Sequence, residues 1–242
     1  MNIPVYVLTS NKHLWCMRPF SYCFDAYWGS YWGGQNVIVA GYEKPSDLPY
    51  YMSFYQIAND EIPADKWSDG LIRLLSSTQD EFFIFMLEDY LLTRPVDLHA
   101  ISALGDLMSE NSQILRIDLT TDVLHANGDS RDASDVGYLG SIDLVEKKPG
   151  TQYRFSFQAG IWNKAKLLEI LKPGMSPWNV ELYTEIPEGS LIYGTRQWPV
   201  RYANLLWKSK VDLAQLKLLH PEKRDAVITM ISEDLLKGGI NG

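Results

Sequence analysis

The sequence is poor in the residues that build disulfide frameworks and metal clusters. Only Cys16 and Cys23 carry thiols. Two cysteines make no disulfide framework, and their spacing is not the Cys-x-x-Cys of a metal or redox site. They fit buried thiols in a reducing compartment, so the expected location is cytoplasmic. His13, His99, His125 and His220 show no His-x-His or His-x-x-x-His spacing, which sets aside a histidine-only zinc site. No run of about eighteen apolar residues is present, so no segment is expected to span a membrane. The N-terminal stretch lacks a basic region and a cleavage site, and it reads as a first strand rather than a leader. There is no phosphate-binding Walker loop, no Gly-x-Ser-x-Gly elbow, and no Gly-x-Gly-x-x-Gly between strand and helix. The glycines of Gly29-Ser30-Tyr31-Trp32-Gly33-Gly34 follow a helical stretch instead. Positive charge is also short: 22 Lys and Arg against 30 Asp and Glu leave a net charge of −8. That disfavours nucleic-acid binding through a general basic surface and leaves only a local groove open.

What remains is a globular composition, 46% hydrophobic and 21% charged, which is not that of a disordered chain. At 242 residues the chain can bury a sizeable core, and no Pro/Gly/Ser linker divides it, so one continuous domain is expected. Eight Trp and fourteen Tyr make it rich in aromatics. Their flat faces suit sugar rings and bases, and equally suit cores or a homodimer face.

Apolar runs at residues 3–9, 36–40, 50–57, 82–87 and 114–119 predict strands. Helical spacing predicts helices over 19–32, 64–78 and 97–109. The alternation implies an α/β domain whose sheet is largely parallel, with ligands at the carboxyl ends of its strands. Further on, 125–135 reads as a surface loop, 137–145 and 153–157 as strands, and 164–171 as a helix. Ser176 and Pro177 mark the start of a helix over 178–185. Short strands are expected within 189–202 and a terminal helix over 221–237.

Polar groups at two strand ends draw attention first. Thr9-Ser10 closes the first strand. Glu88-Asp89 closes the most apolar one, where two adjacent carboxylates need solvent, a partner or a cation. Oxygen ligands there suit Mg2+ or Mn2+; alternatively one carboxylate caps the next segment and the other pairs with Arg94. Gln158, before Ala159-Gly160, suits a ligand hydroxyl approaching a small-residue backbone, or a plain tight turn. Trp178 and Glu181 share a helical face, which fits a general base beside an indole, or an acid favouring the helix dipole. His220 reads as a phosphate or metal contact, or as a solvated helix end. Arg196, Arg201, Lys208 and Lys210 form a basic cluster that fits an anionic ligand or a solvated face.

The stretches Trp67-Ser68-Asp69-Gly70-Leu71-Ile72 and Phe82-Phe83-Ile84-Phe85-Met86-Leu87-Glu88-Asp89-Tyr90 resemble the centre of a GT-A-type glycosyltransferase domain. There, a Trp-Ser helix precedes a hydrophobic strand ending in an acidic pair. Phe155-Ser156-Phe157-Gln158-Ala159-Gly160-Ile161-Trp162, followed by Pro177-Trp178-Asn179-Val180-Glu181, is similar to bacterial and phage glycosyltransferase-like proteins. The resemblance runs through about residues 3–210 in order of elements. It implies a single GT-A-like (Rossmann-like) α/β domain with a mostly parallel central sheet flanked by helices. Residues 1–120 would form the nucleotide-sugar half, and 121–242 the acceptor half with the C-terminal helix.

The implied activity is transfer of a sugar from a nucleotide-diphosphate donor, such as a UDP-sugar, to a hydroxyl of a glycan or other acceptor. The residues it implicates at the donor are Thr9, Ser10, Trp67, Arg73, Glu88, Asp89 and Gln158. Those at the acceptor are Trp162 and Trp178. Glu181 would be the inverting base and Asp89 a second catalytic carboxylate. Glu88, Asp89 and His220 would form a Mg2+ or Mn2+ site. The motif here is Glu-Asp-Tyr, lacking a third-place acid, so Arg or Lys side chains are an alternative to the cation. Three rival functions stay open: nucleotidyl transfer to a sugar phosphate, which lacks its Gly-rich signature at Thr9-Ser10-Asn11-Lys12; non-catalytic nucleotide or glycan binding; and glycosylation of a hydroxylated DNA base, against which the charge counts.

Overall fold

The computed structural model describes residues 3–29, 36–125, 133–151 and 153–236. In chain order the elements are β1 (Val5–Leu8), α1 (Met17–Phe24), β2 (Val37–Gly41), β3 (Met52–Gln56), α2 (Trp67–Ser77), β4 (Phe82–Leu87), β5 (Tyr90–Leu92), α3 (Leu98–Glu110), β6 (Ile114–Asp118) and α4 (Asp122–His125). There follow β7 (Ala133–Leu139), β8 (Ile142–Lys147), β9 (Gly160–Asn163), α5 (Lys164–Ile170), α6 (Pro177–Tyr183), β10 (Leu191–Thr195), β11 (Tyr202–Asn204), β12 (Leu206–Trp207), β13 (Lys210–Val211) and α7 (Pro221–Leu236).

Nine strands form one sheet in the order β3-β2-β1-β4-β9-β6-β10-β8-β7. Strands β8 and β9 run against all the others. This is the expected α/β architecture, a mostly parallel central sheet with helices on both faces. The strands explain the layering. Both faces of β1 are buried, so it reads as a continuous apolar run rather than an alternating one. Val5 and Val7 enter a core with Phe20 and Cys23 of α1, Leu104 of α3 and Val227 of α7. Tyr6 and Leu8 face the opposite core, with Leu71 and Leu74 of α2, Leu167 of α5 and Val180 of α6. Cys16 and Cys23 are buried free thiols. Among the described residues, no helix is long and apolar enough to cross a membrane.

The helix starts follow the caps written in the sequence. Asp97 accepts from Ala100 N–H at 2.9 Å to open α3. Ser176 accepts from Asn179 N–H at 3.2 Å, with Pro177 in the first turn, to open α6. Three expectations differ from the structure. The helix expected over 19–32 is α-helical only to Phe24, then turns into a π-type segment, Asp25–Gly29. The rest of that stretch and its glycine pair lie outside the described residues, as do 126–132 of the expected loop and Lys237 of the last helix. The strand expected over 137–145 is a hairpin of β7 and β8, turned at Gly140 in the left-handed region at φ 60°. No strand forms over the described residues of 153–157; the strand is β9, a short central one that apolar runs alone did not mark.

Candidate active site

The first crossovers place a ligand site. From β1 the chain moves outward to β2 and β3, then returns to β4 on the other side of β1. The order therefore reverses between β1 and β4, and in open α/β sheets the crevice beyond such a reversal is where ligands bind. Leu8 and Leu87 pair at the ends of these strands. The residues just beyond them, Thr9-Ser10 and Glu88-Asp89, form the floor of a cleft of about 640 Å³. Tyr42, Ile57 and Glu61 wall it on the β2–β3 side, Trp67 and Gly70 of α2 line its face, Phe157 packs edge-on against the Trp67 ring at 4.7 Å, and Trp178 joins the lining. Leu206 and Lys208 complete the rim.

The floor is acidic and poorly solvated. Burial, then repulsion from Asp89, lifts the Glu88 carboxyl to about 8. Burial lifts Asp89 to about 6, opposed by backbone N–H groups of Asp89 and Leu206. Both carboxyls are thus held above the ordinary carboxylate range, Glu88 the more strongly. Ser10 N–H reaches Glu88 Oε1 at 3.4 Å, and His13 Nδ1 stands 3.7 Å from the same oxygen. Burial lowers the His13 pKa, followed by the charge of Lys12, so the imidazole gives the carboxylate no permanent positive partner. Two crowded, hard oxygen donors that hold a proton against repulsion are a donor set that a divalent cation would relieve. Among the described residues no group of three His, Cys, Asp or Glu side chains is placed to hold a metal. The rest of a cation's shell would come from ligand oxygens and water, as Mg2+ commonly requires.

Glu181 lies deeper. Phe157 N–H donates to its Oε1 at 2.6 Å. Its pKa rises to about 6, through burial first and then the charge of Asp122; the Phe157 bond and Arg116 pull the other way.

Behind it, a fully buried Arg116 donates to Asp118 Oδ1 and to the Gln158 carbonyl, both at 3.1 Å. Arg116 also stands 4.0 Å from Asp122, which accepts from the Ser156 hydroxyl at 2.6 Å. The Trp162 ring covers the guanidinium at 5.4 Å. The glycine of β9 serves this packing: a Cβ on Gly160 would sit 2.9 Å from Arg116 Nε. The small residue there makes room for an arginine, not for a ligand.

The structure thus gathers Thr9, Ser10, Trp67, Glu88, Asp89 and Trp178 around one cleft. It does not bring the other expected residues there: Glu181 is outside the cleft lining and reaches it only through its bond to Phe157. Trp162 is fully buried against Phe155 and Phe157 and offers no face to an acceptor. Gln158 accepts from the Tyr202 hydroxyl and faces a second pocket beside Arg94. Arg73 is exposed and lies outside the cleft lining. His220 is exposed next to the first turn of α7, outside the cleft that holds Glu88 and Asp89. The basic cluster also disperses: Arg196 pairs with Asp135 at 2.7 Å, Arg201 lines the second pocket and Lys208 alone reaches the cleft. Tyr42 and Glu61 carry no sequence signal for the cleft, whereas Lys208 is the one member of the expected basic cluster that reaches it. Arg116-x-Asp118 inside an apolar strand was the one visible sign of the buried network.

No family model matches the chain, and no curated protein matches it. Solved structures with a similar chain path include glucosyl-3-phosphoglycerate synthase from Mycobacterium tuberculosis in complex with Mn2+, UDP-glucose and phosphoglyceric acid. It is 16% identical over 48% of this chain and 42% of that one, with a TM-score of 0.34, so this chain spans less than half of its length. S. aureus TarS 1–349 is 13% identical over 95% of this chain and 70% of that one, with a TM-score of 0.45. CMP:2-keto-3-deoxy-manno-octonic acid synthetase complexed with CTP is 12% identical over 80% and 89%, with a TM-score of 0.39. At such identities and TM-scores these likenesses say nothing of what this chain acts on.

Proposed function

We propose that this chain is a glycosyltransferase that moves a sugar from a nucleotide-diphosphate donor to an acceptor hydroxyl with inversion. One observation carries the reading: the acidic pair Glu88-Asp89 floors a cleft at the reversal point of the sheet, and Phe157 on the cleft wall holds a half-buried carboxylate, Glu181, by its backbone N–H. Thr9 and Ser10 meet the nucleotide, and Trp67 and Trp178 give flat faces to base and sugar or acceptor. Asp89 acts at the donor diphosphate, and Lys208 brings the chain's own positive charge to it. Glu88 and Asp89 would hold Mg2+ or Mn2+, which when bound supplies further charge for the departing diphosphate.

The acceptor oxygen attacks the anomeric carbon and forms the new C–O bond. The bond from that carbon to the diphosphate oxygen breaks, the nucleoside diphosphate leaves with the electron pair, and the hydroxyl proton passes to Glu181. A pKa of about 6 keeps this base ionised near neutral pH and still able to accept the proton. Residues 1–120 carry most of the donor cleft, and 121–242 supply the base and the acceptor side. The reading is tested by donor turnover: with a UDP-sugar first, the full chain should release UDP and glycosylate an added acceptor. A chain that binds the donor but never turns it over in the presence of acceptors would be a binding protein instead.

A further inference from the structure

A second pocket, about 280 Å³, opens at the same end of the sheet. It lies where β6 ends and β9 begins, since Asp118 pairs with Gly160. The two cavities share their walls. Phe157 and Leu206 line the first, while Gln158 and Asn204, beside them in sequence, line the second. Phe157, at the step that divides them, is the residue whose N–H holds Glu181.

The second pocket is built for an anion. Arg94 and Arg201 both line it, and among the described residues neither makes an ion pair. Arg201 is held from behind: its guanidinium lies 4.9 Å from the centre of the Trp198 ring. Trp198, itself in the pocket lining, takes the left-handed region at φ 54°, which is unfavourable for a bulky residue. Asp118 and Asp122 lie close enough behind the wall to act on the Tyr202 hydroxyl. Both are already engaged, Asp118 by Arg116, Thr120 and Val123, and Asp122 by Ser156. Thr121 and Gln158 add neutral polar groups to the same lining. Two guanidiniums without a carboxylate partner, with hydroxyl and amide groups beside them, match a tetrahedral oxyanion.

We propose that this pocket is the acceptor subsite and that it takes the phosphate group of a small phosphorylated hydroxy compound, held by Arg94 and Arg201. The proposal deepens the glycosyltransferase reading and, in naming the ligand an acceptor, rests on it. With its phosphate so held, the acceptor presents its free hydroxyl at the shared wall beside Glu181.

Calorimetric titration of the full chain with inorganic phosphate, glycerol phosphate, glycerate and glycerol tests this, with UDP as the probe of the first cleft. Glycerol phosphate should bind at one site, glycerol should not, and Arg94→Gln and Arg201→Gln should each weaken that binding tenfold or more while UDP affinity stays within twofold. Arg94 is exposed, so its variant reports on binding even if Arg201→Gln perturbs the fold. Equal binding of glycerol phosphate to wild type and both variants would overturn the site, and tighter binding of glycerate would overturn the assignment to phosphate. Arginine-dependent phosphate binding without any UDP binding would overturn the donor reading, and the word acceptor with it. UDP binding without phosphate binding would overturn only the present proposal.

Discussion

Phe157 N–H donates to Glu181 Oε1 at 2.6 Å, and this bond joins the first turns of α6 to the wall between two cavities. A carboxylate held by a backbone donor keeps its position without depending on another mobile side chain. The aromatic ring of Phe157 meanwhile packs with Phe85 and Trp162 and fixes the donor itself. The Glu181 carboxylate, the base of the proposed reaction, is therefore placed by the hydrophobic core.

Glu181→Gln keeps an oxygen for the Phe157 N–H and removes the basicity. Transfer should fall about 10²–10⁴-fold, with nucleotide affinity within twofold of wild type. Steady-state rates beside calorimetric titration of UDP check this. Equal loss of nucleotide binding would move Glu181 from base to donor recognition.

The same carboxyl sets an acid limb. Its folded pKa is raised to about 6, so kcat/KM should drop at least tenfold for each pH unit below about 6 as the base becomes protonated. In Glu181→Gln the limb should be shallower by that factor, keeping only what Asp89, also raised to about 6, contributes at the donor. A profile flat down to about pH 5 would contradict the assignment.

Glu88 leaves a stability signature of its own in protein freed of metal by EDTA. Its folded pKa, about 8, lies above its ordinary value of 4.5, so the folded state binds more protons than the unfolded state between those values. Its contribution is fully present below about pH 4.5 and is lost as pH rises through about 8, on the order of a few kcal/mol at most. Glu88→Gln should melt higher than wild type at about pH 9, with the two converging near pH 5. Thermal melts across that range decide it; a wild type as stable relative to the variant at high pH as at low pH would not fit.

Gly160 is required by Arg116. In Gly160→Ala the new Cβ would meet Arg116 Nε at 2.9 Å and the Ile117 carbonyl at 3.1 Å. A fully buried guanidinium between Asp118 and Trp162 has no room to move, so the expected loss is about 1–3 kcal/mol by denaturant unfolding. Unchanged stability would show that the network relaxes at no cost.

Trp178 is 64% exposed at the cleft. Trp178→Ala should change stability by about 0.5 kcal/mol or less and weaken ligand binding in the cleft about tenfold, as loss of a stacking face does. Melting curves and substrate affinities measured on the same preparation separate the two effects.

The frame of this site was legible because strands β1 and β4 are buried on both faces and appear in sequence as unbroken apolar runs ended by polar residues. The α6 cap was legible for a local reason, since Ser176 and Pro177 need only their own neighbours. What local sequence did not carry was direction in space. Trp162 and Trp178 look alike as aromatic residues near a ligand motif; β9 turns Trp162 into the core, and α6 leaves Trp178 at the cleft. Gln158 follows Phe157 directly, yet the two line different cavities. Lys208 and Tyr42 reach the cleft only by long-range packing, which no spacing rule records.

The account rests on a nucleotide-diphosphate site above Glu88 and Asp89, and titration of the full chain with nucleoside diphosphates, in Mn2+ and in EDTA, tests it most directly. One nucleoside diphosphate should bind at a single site, tighter in Mn2+ than in EDTA, and Asp89→Asn should weaken it tenfold or more. No binding of any nucleoside diphosphate, or binding that Asp89→Asn and Trp67→Ala leave untouched, would contradict the account.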